Sequence, residues 1–245
     1  MSKKAKNSAI ATPEQSWVLG DENALMVSRV EVERNNSVRL HPNSWAAFAV
    51  LADQAAKAGF ELRIASGYRS FERQLAIWNG KLDGTRLLLD EHNKPLLLSD
   101  MSPEEQVGAV LRFSALPGAS RHHWGSDADV YDGAAISEGD RLSLTPQEYS
   151  AEGVQGRFAY WLNEQLQPGQ AMAKLFSRPY GQDCGGVAVE PWHLSHRAVS
   201  AKAEQLLTMN LVQRRLSECD MIHRDYVLAH LPEIWQRFVE PAGQR

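Results

Sequence analysis

The stretch SRHHWGSDAD, residues 120–129, contains residue types that commonly bind metal ions on both sides of a glycine, two histidines before it and two aspartates after it. His122 and Asp129 lie seven positions apart, with Gly125 between them, so a loop residue and a strand residue could converge on one point. A catalytic zinc ion takes three protein ligands from His, Asp, Glu and Cys and keeps one further position open. The stretch therefore predicts two ligands of a metal site, and the third must come from another part of the chain.

The segment Glu190-Pro191-Trp192-His193 can supply that third ligand together with a base. His193 follows Glu190 by three residues, so one short segment could bring an imidazole and a carboxylate to the same metal. Such a carboxylate could take a proton from water whose pKa the metal lowers towards about 7. A single histidine or aspartate is weak evidence, so the prediction depends on the joint pattern.

The composition is that of an ordinary globular protein. Of the 245 residues, 43% are hydrophobic and 23% charged, which excludes a disordered chain, a fibrous repeat and a disulfide scaffold. The net charge of -4 argues against a protein that binds its partner mainly through phosphate contacts, so nucleic acid is not an expected partner. The two cysteines, Cys184 and Cys219, are compatible with a reducing compartment.

The beginning of the chain predicts the compartment. Residues 1–15 contain three lysines but no apolar run of the kind that a secretory signal needs. The longest early apolar stretch, residues 45–52, is too short to span a bilayer, which takes about 20 residues. We therefore expect a cytoplasmic protein without a membrane partner, whose residues 1–16 form a flexible tail.

Turn and capping residues divide the rest of the chain into short elements. The pattern predicts helices over 45–58, 71–78 and 103–113, and a further helix opened by the capping box at Thr145 and continuing over 156–166. It predicts strands over 60–65, 127–131 and 187–194, and a helical chain beyond Arg197. Helices mixed with short strands favour an α+β fold over a parallel βαβ array.

Taken together, three motifs resemble those of the VanY-type zinc D-alanyl-D-alanine carboxypeptidases. They are Ser66-Gly67-Tyr68-Arg69-Ser70, then Ser120-x-His122-x-x-Gly125-x-x-x-Asp129, then Glu190-x-x-His193, in the order found in that family. The resemblance covers roughly residues 45–196. It implies a small antiparallel sheet that carries the zinc site and packs against helices. We expect a zinc carboxypeptidase domain over 17–200 and a helical C-terminal extension over 201–245, packed on the same domain.

The resemblance also implies roles for individual residues. One catalytic Zn²⁺ would be held by His122, Asp129 and His193, with Glu190 as the base. Arg69 would stabilise the polarised carbonyl or anchor a substrate carboxylate, because its planar fork binds oxyanions and keeps its charge. The positions expected to line the substrate pocket are Ser120, Gln74, Tyr68 and Trp192. For Trp192 a core position beside the site is the competing interpretation.

Several departures leave alternatives open. Where the family commonly has small apolar residues before the aspartate, this chain has Ser126 and Asp127. Asp127 would share a strand face with Asp129, which makes it a rival ligand or a partner for a ligand histidine. His123, His196 and Cys184 are further rivals, and His196 could instead hold substrate. The segments 81–99 and 131–148 are predicted insertions that shape the rim of the cleft.

The implied reaction is removal of a C-terminal D-alanine from a peptidoglycan stem peptide or muropeptide. A cytoplasmic enzyme would meet turnover tetrapeptides, so we expect an L,D-carboxypeptidase of cell-wall recycling. The alternatives are a D-alanyl-D-alanine carboxypeptidase or dipeptidase and, in another class, a non-catalytic module that binds zinc and muropeptide. The oligomeric state is not predicted.

Overall fold

A computed structural model describes residues 11–22, 28–33, 36–90, 94–137 and 139–240. The first ten residues of the expected tail and residues 241–245 lie outside the described ranges. Helix α1, Pro13–Leu19, begins inside the stretch 1–16, because Thr12 and Gln15 form a capping box in front of it. Trp17 on this helix is fully buried.

A four-stranded antiparallel sheet lies at the centre of the fold, with strand order β3-β4-β6-β5. These strands are β3 (Leu62–Ser66), β4 (Asp127–Asp132), β5 (Phe176–Ser177) and β6 (His193–His196). A separate antiparallel pair consists of β1 (Ser28–Glu33) and β2 (Asn36–Leu40). The fold is α+β with a small antiparallel sheet, as expected.

Most of the remaining regular structure is helical. The helices that precede β5 in the chain are α2 (Pro42–Lys57), α3 (Phe71–Leu82), α4 (Pro103–Phe113), α5 (Gly156–Gln165) and α6 (Ala171–Leu175). The helices that follow β6 are α7 (Arg197–Leu206), α8 (Met209–Ser217), α9 (Arg224–Ala229) and α10 (Leu231–Ile234). In the part of the chain that the structure describes, no helix combines the length and apolar character needed to cross a membrane.

The apolar residues form two cores. One lies under the sheet, where Phe48 of α2 and Phe158 of α5 meet Val130 and Leu194 of the strands. The other joins Trp17 to α3, α4 and the helices from α7 onwards. The C-terminal helices therefore share a core with the first helix of the chain.

Two predicted elements differ from the structure. The capping box at Thr145 forms, with the Glu148 carboxylate accepting from the Thr145 amide, but the chain continues as turns until Gly156. A Cβ on Gly153 would lie 2.2 Å from the carbonyl oxygens of Gln147 and Glu148, so the chain folds back too tightly there for a helix. The strand predicted over 187–194 is also wrong for residues 187–192, because it begins only at His193, after Pro191, which has no N–H for a ladder.

We expect the core beneath the sheet to support β6. Leu194 is fully buried between His193 and Ser195, so Leu194→Ala should lower the free energy of unfolding by about 2–5 kcal/mol. Leu97→Ala is the matched control, because Leu97 is 75% exposed and should change it by no more than about 0.5 kcal/mol. Urea denaturation measures both, and equal effects would contradict this description of the core.

Candidate metal centre

The register of the sheet brings three polar residues into one row. Asp129 of β4 pairs with His193 of β6 on one side and with Ser66 of β3 on the other. Side chains of directly opposed residues lie on the same face of a sheet. An aspartate and a histidine that are 64 positions apart in sequence (193 − 129) therefore become neighbours.

His122 reaches this row from a short 3₁₀ turn, residues 121–124. The turn ends at Gly125, whose φ of 66° lies in the left-handed region that favours glycine. The turn is held from outside by a reciprocal pair of hydrogen bonds: the Trp17 indole donates to the Trp124 carbonyl at 3.0 Å, and the Trp124 indole donates to the Val18 carbonyl at 3.2 Å. Helix α1 thus fixes the turn that carries His122.

Together, His122, Asp129 and His193 form a compact buried cluster. Each offers one ligand atom, and these atoms lie within 4.8 Å of one another. Nε2 of His122 is 3.4 Å from Oδ2 of Asp129, and Nδ1 of His193 is 3.2 Å from Oδ1 of Asp129. Two imidazoles and a carboxylate are a ligand set that zinc takes in catalytic sites.

Unpartnered atoms show that this set fits a metal ion. Nδ1 of His193 and Oδ1 of Asp129 are buried and make no hydrogen bond, although they lie close to each other. A buried polar atom without a partner costs free energy, and a cation between the two atoms would satisfy both.

The outer nitrogen of each histidine is held by an oxygen atom. Nδ1 of His122 lies 2.8 Å from the Gly67 carbonyl, and Nε2 of His193 lies 2.9 Å from Oδ2 of Asp127. These contacts orient the rings and leave Nε2 of His122 and Nδ1 of His193 facing the cluster. Position 67 has no room for a side chain, because a Cβ there would lie 2.4 Å from Cγ1 of Val38.

Asp127 is therefore a partner of His193 and is not a member of the cluster. It is fully buried, and it accepts hydrogen bonds from Nε of Arg121 at 2.8 Å and from the Ser195 hydroxyl at 2.9 Å. Arg121 in turn donates to Glu204 of α7 at 2.7 Å. Burial opposes the charge of Asp127, but Arg121 and His193 hold the pKa of that carboxyl well below its usual range.

Protonation in the cluster also suits a metal site. Burial lowers the pKa of His122 to about 4, so its imidazole is neutral near pH 7 and can bind a metal. Burial opposes the charged form of His193, but the carboxylates of Asp127, Asp129 and Glu190 raise its pKa well above the usual value. A cation at the cluster would replace the proton that these carboxylates otherwise favour.

Glu190 and Arg69 stand beside the cluster. Oε2 of Glu190 lies 3.2 Å from Nδ1 of His193. The Arg69 guanidinium donates to the Gln74 amide oxygen at 2.8 Å and to the Ser66 hydroxyl at 3.0 Å. Burial lowers the pKa of Arg69, and the nearby charges of Asp129 and Glu190 oppose that shift. Both side chains line the same cavity of about 240 Å³ as the cluster.

The four residues expected to contact substrate occupy different places. Ser120 and Trp192 line the cavity, and the Ser120 hydroxyl is buried without a hydrogen-bond partner. Gln74 is fully buried behind Arg69, and its amide nitrogen donates to the Ala115 carbonyl at 2.7 Å. Tyr68 does not line the cavity, because its hydroxyl donates to the Gly20 carbonyl at 3.0 Å and so faces the N-terminal segment.

The other residues considered as alternative metal ligands also lie away from the ligand atoms of the cluster. His123 uses both ring nitrogens on the main chain, one 2.7 Å from the Arg69 carbonyl and the other accepting from the Gly118 amide at 3.0 Å. His196 projects from the opposite face of β6, and its Nδ1 lies 3.3 Å from the Ser44 hydroxyl. Cys184 is exposed and is not part of the cluster.

Sequence reasoning did not identify two residues of this cavity. Tyr180 packs its ring edge-on against His193, with the centroids 4.9 Å apart, and burial raises the pKa of its hydroxyl to about 12. Lys81, in the last turn of α3, also lines the cavity. Neither belongs to a motif. Lys81 is the first residue of the segment 81–99 that was predicted to shape the cleft rim, and it lies seven residues, about two helical turns, after Gln74.

We expect the contact between Asp127 and His193 to strengthen metal binding. Asp127→Asn should weaken zinc affinity by about 10- to 100-fold, because the amide carries no charge with which to polarise the imidazole. Competition with a chromophoric chelator measures the affinity of the metal-free protein. Asp53→Asn, on the exposed face of α2, is the matched control, and equal affinities in all three proteins would refute the role given to Asp127.

Comparisons with known proteins identify a family and similar chains. The family model described as VanY, D-alanyl-D-alanine carboxypeptidase, matches residues 37–199, which is more than half of the chain. Two uncharacterized proteins of Haemophilus influenzae are similar in sequence: one is 28% identical over 124 residues, covering 51% of this chain and 92% of that protein. The other is 46% identical over 70 residues, covering 29% of this chain and 48% of that protein.

Solved structures are similar at low sequence identity. VanYB in complex with D-alanine-D-alanine has a TM-score of 0.48 at 20% identity, covering 79% of this chain and 90% of that one. The LD-carboxypeptidase LdcB has a TM-score of 0.47 at 20% identity, covering 82% of each chain. On the match of the family model, the chain belongs to the VanY family of D-alanyl-D-alanine carboxypeptidases.

Proposed function

We propose that the protein is a zinc-dependent carboxypeptidase that removes the C-terminal D-alanine from peptidoglycan stem peptides. The observation that carries the proposal is the buried His122, Asp129 and His193 cluster with the Glu190 carboxylate 3.2 Å from one of its ligand nitrogens. A module that only binds zinc and muropeptide would have no use for a carboxylate at that place. The catalytic interpretation is therefore favoured over the binding module.

In this proposal His122, Asp129 and His193 hold the ion. When bound, zinc supplies Lewis-acid chemistry that polarises a carbonyl and lowers the pKa of water. Because two of the ligand atoms are otherwise unpartnered, the site is prepared for the ion before it binds.

Glu190 and Arg69 carry the steps that belong to the protein. Glu190 takes a proton from the attacking water, whose oxygen adds to the scissile carbonyl carbon. The same carboxyl then gives that proton to the amine nitrogen as the C–N bond breaks, which releases D-alanine and a shortened peptide. Arg69, held by Ser66 and Gln74, stabilises the negative charge that develops on the carbonyl oxygen.

We further propose that the preferred substrate is the tetrapeptide, whose last D-alanine follows an L-centre. This preference is the hypothesis that the substrate comparison below tests. The competing substrate is the pentapeptide that ends in D-Ala-D-Ala, as the family's name suggests.

A direct substrate comparison tests the reaction and the preference together. Purified protein is incubated with equimolar muramyl tetrapeptide and pentapeptide, with and without a chelator, and the products are followed by mass spectrometry. We expect chelator-sensitive loss of D-alanine from the tetrapeptide. Preferential shortening of the pentapeptide would support the D,D activity instead, and cleavage of neither would contradict the enzymatic proposal.

Removing the proposed base should separate chemistry from metal binding. Glu190→Gln should lower turnover by about 10²- to 10⁴-fold, because the amide cannot accept the proton from water, while zinc content stays unchanged. Glu164→Gln, on the exposed face of α5, makes the same change far from the site and should leave turnover unchanged.

Removing a proposed metal ligand should instead reduce the zinc content of the protein. His193→Ala should lose zinc, which metal analysis of the purified variant measures. A Glu190→Gln enzyme with near-wild-type turnover, or a His193→Ala protein with full zinc, would contradict the corresponding assignment.

A further inference from the structure

A second cavity opens beside the metal centre. It has a volume of about 370 Å³ and adjoins the 240 Å³ cavity that holds the cluster. The residues that line both cavities are Lys81, Phe113, Leu144, Glu190 and Trp192. The two spaces therefore form one cleft, with the proposed base at their junction.

Two segments that sequence analysis marked as insertions close the outer side of this second cavity. Leu87, Leu89 and Asp90 come from the first segment, and residues 143–146 come from the second. Leu144 has a φ of 56°, a conformation that a leucine adopts only under strain, and it lines both cavities. The insertions thus extend the cleft away from the metal cluster.

Lys81 is a partly buried cation at the junction of the two cavities. Its ammonium donates to the Ser114 hydroxyl at 2.7 Å and to the Phe113 carbonyl at 3.4 Å. An ammonium has three hydrogens, so one remains for another acceptor. Within the described ranges of the chain, no carboxylate lies within 4.0 Å of this nitrogen.

The surroundings of Lys81 favour a negatively charged partner for its ammonium group. Burial and the nearby charge of Arg69 lower the pKa of Lys81 to about 8, although the charge of Glu190 opposes that shift. A charge that is largely removed from water is tolerated when an opposite charge or several hydrogen bonds accompany it. Here the protein bonds the ammonium to two neutral acceptors, and the Glu190 carboxylate acts on it only from beyond 4.0 Å. The natural partner is an anion that arrives in the cleft.

We propose that Lys81 binds a carboxylate of the substrate at the junction of the two cavities. The inference rests on the proposed function and extends it to substrate recognition. Every carboxypeptidase substrate brings a terminal carboxylate into a pocket that already holds Asp129 and Glu190, so a cation besides Arg69 offsets that repulsion. A residue before the terminal D-alanine that bears a side-chain carboxylate could supply the same group through the second cavity.

Three tetrapeptides distinguish these two sources. Their third residue is diaminopimelate, diaminopimelate with an amidated side-chain carboxylate, or lysine, and all three end in D-alanine. KM and kcat are measured for the zinc-loaded wild type and for Lys81→Gln, which keeps N–H groups that can donate to Ser114 but loses the charge. Lys81→Arg is the conservative rescue, and Lys57→Gln, on the exposed end of α2, is the matched control.

We expect Lys81→Gln to lower kcat/KM by about 10- to 100-fold, mainly through KM, and Lys81→Arg to restore most of it. An equal loss on all three peptides would assign Lys81 to the terminal carboxylate. A loss confined to the diaminopimelate peptide would assign it to the side-chain carboxylate. Zinc content and thermal unfolding of the variants, measured in parallel, show whether the fold and the metal site are intact.

The opposing outcomes are also distinct. Lys81→Gln with kinetics within about twofold of wild type on every peptide would overturn this inference and leave the proposed function standing. A wild-type enzyme that cleaves none of the three peptides would overturn the proposed function, and the inference with it.

Discussion

The arrangement of the metal centre depends on the contact of the buried Asp127 carboxylate with Arg121 and His193. A carboxylate with no exposed surface keeps its charge because Arg121, His193 and the hydroxyls of Ser126 and Ser195 surround its two oxygens. The carboxylate accepts a hydrogen bond from Nε2 of His193, and this contact fixes the ring so that Nδ1 faces Asp129. The orientation of a ligand is thus set by a charge that lies outside the ligand set.

This contact also connects the centre to the end of the chain. Arg121 reaches Glu204 on α7, and α7 shares its core with α1, whose Trp17 is bonded to the turn that carries His122. The helices that follow β6 therefore support the turn that carries His122 and the carboxylate that contacts His193. Their packing contributes to the geometry of the cluster, although none of their described residues lines its cavity.

The cleft itself is built from less regular parts of the chain. Its inner wall carries charged residues on secondary structure or next to it, such as Arg69 before α3 and Glu190 before β6. Its outer wall comes from segments between helices, including the strained Leu144. This division places the charged residues near the cluster on or beside regular structure and builds the outer wall from segments that can vary in length.

Local signals predicted many of the elements correctly. Helix α4 follows a capping box at Ser102 with Pro103 in its first turn, and the structure has both hydrogen bonds of that box. The same signal at Thr145 formed its hydrogen bonds without a helix, because the close approach at Gly153 redirects the chain. A capping box satisfies only its own backbone groups, so tertiary contacts decide whether a helix follows.

The sequence by itself determined the α+β class and the residues of the cluster, because ligand chemistry restricts residue type and the motifs keep their spacing. It left open whether Asp127 was a ligand or a partner, and it did not single out Lys81. Only the tertiary structure decided these points. The register that sets Asp129 opposite His193 also sets Asp127 opposite Ser195, and the packing of α3 brings Lys81 to Ser114, 33 positions away (114 − 81). Contacts between such distant residues depend on strand register and helix packing, which local sequence patterns do not encode.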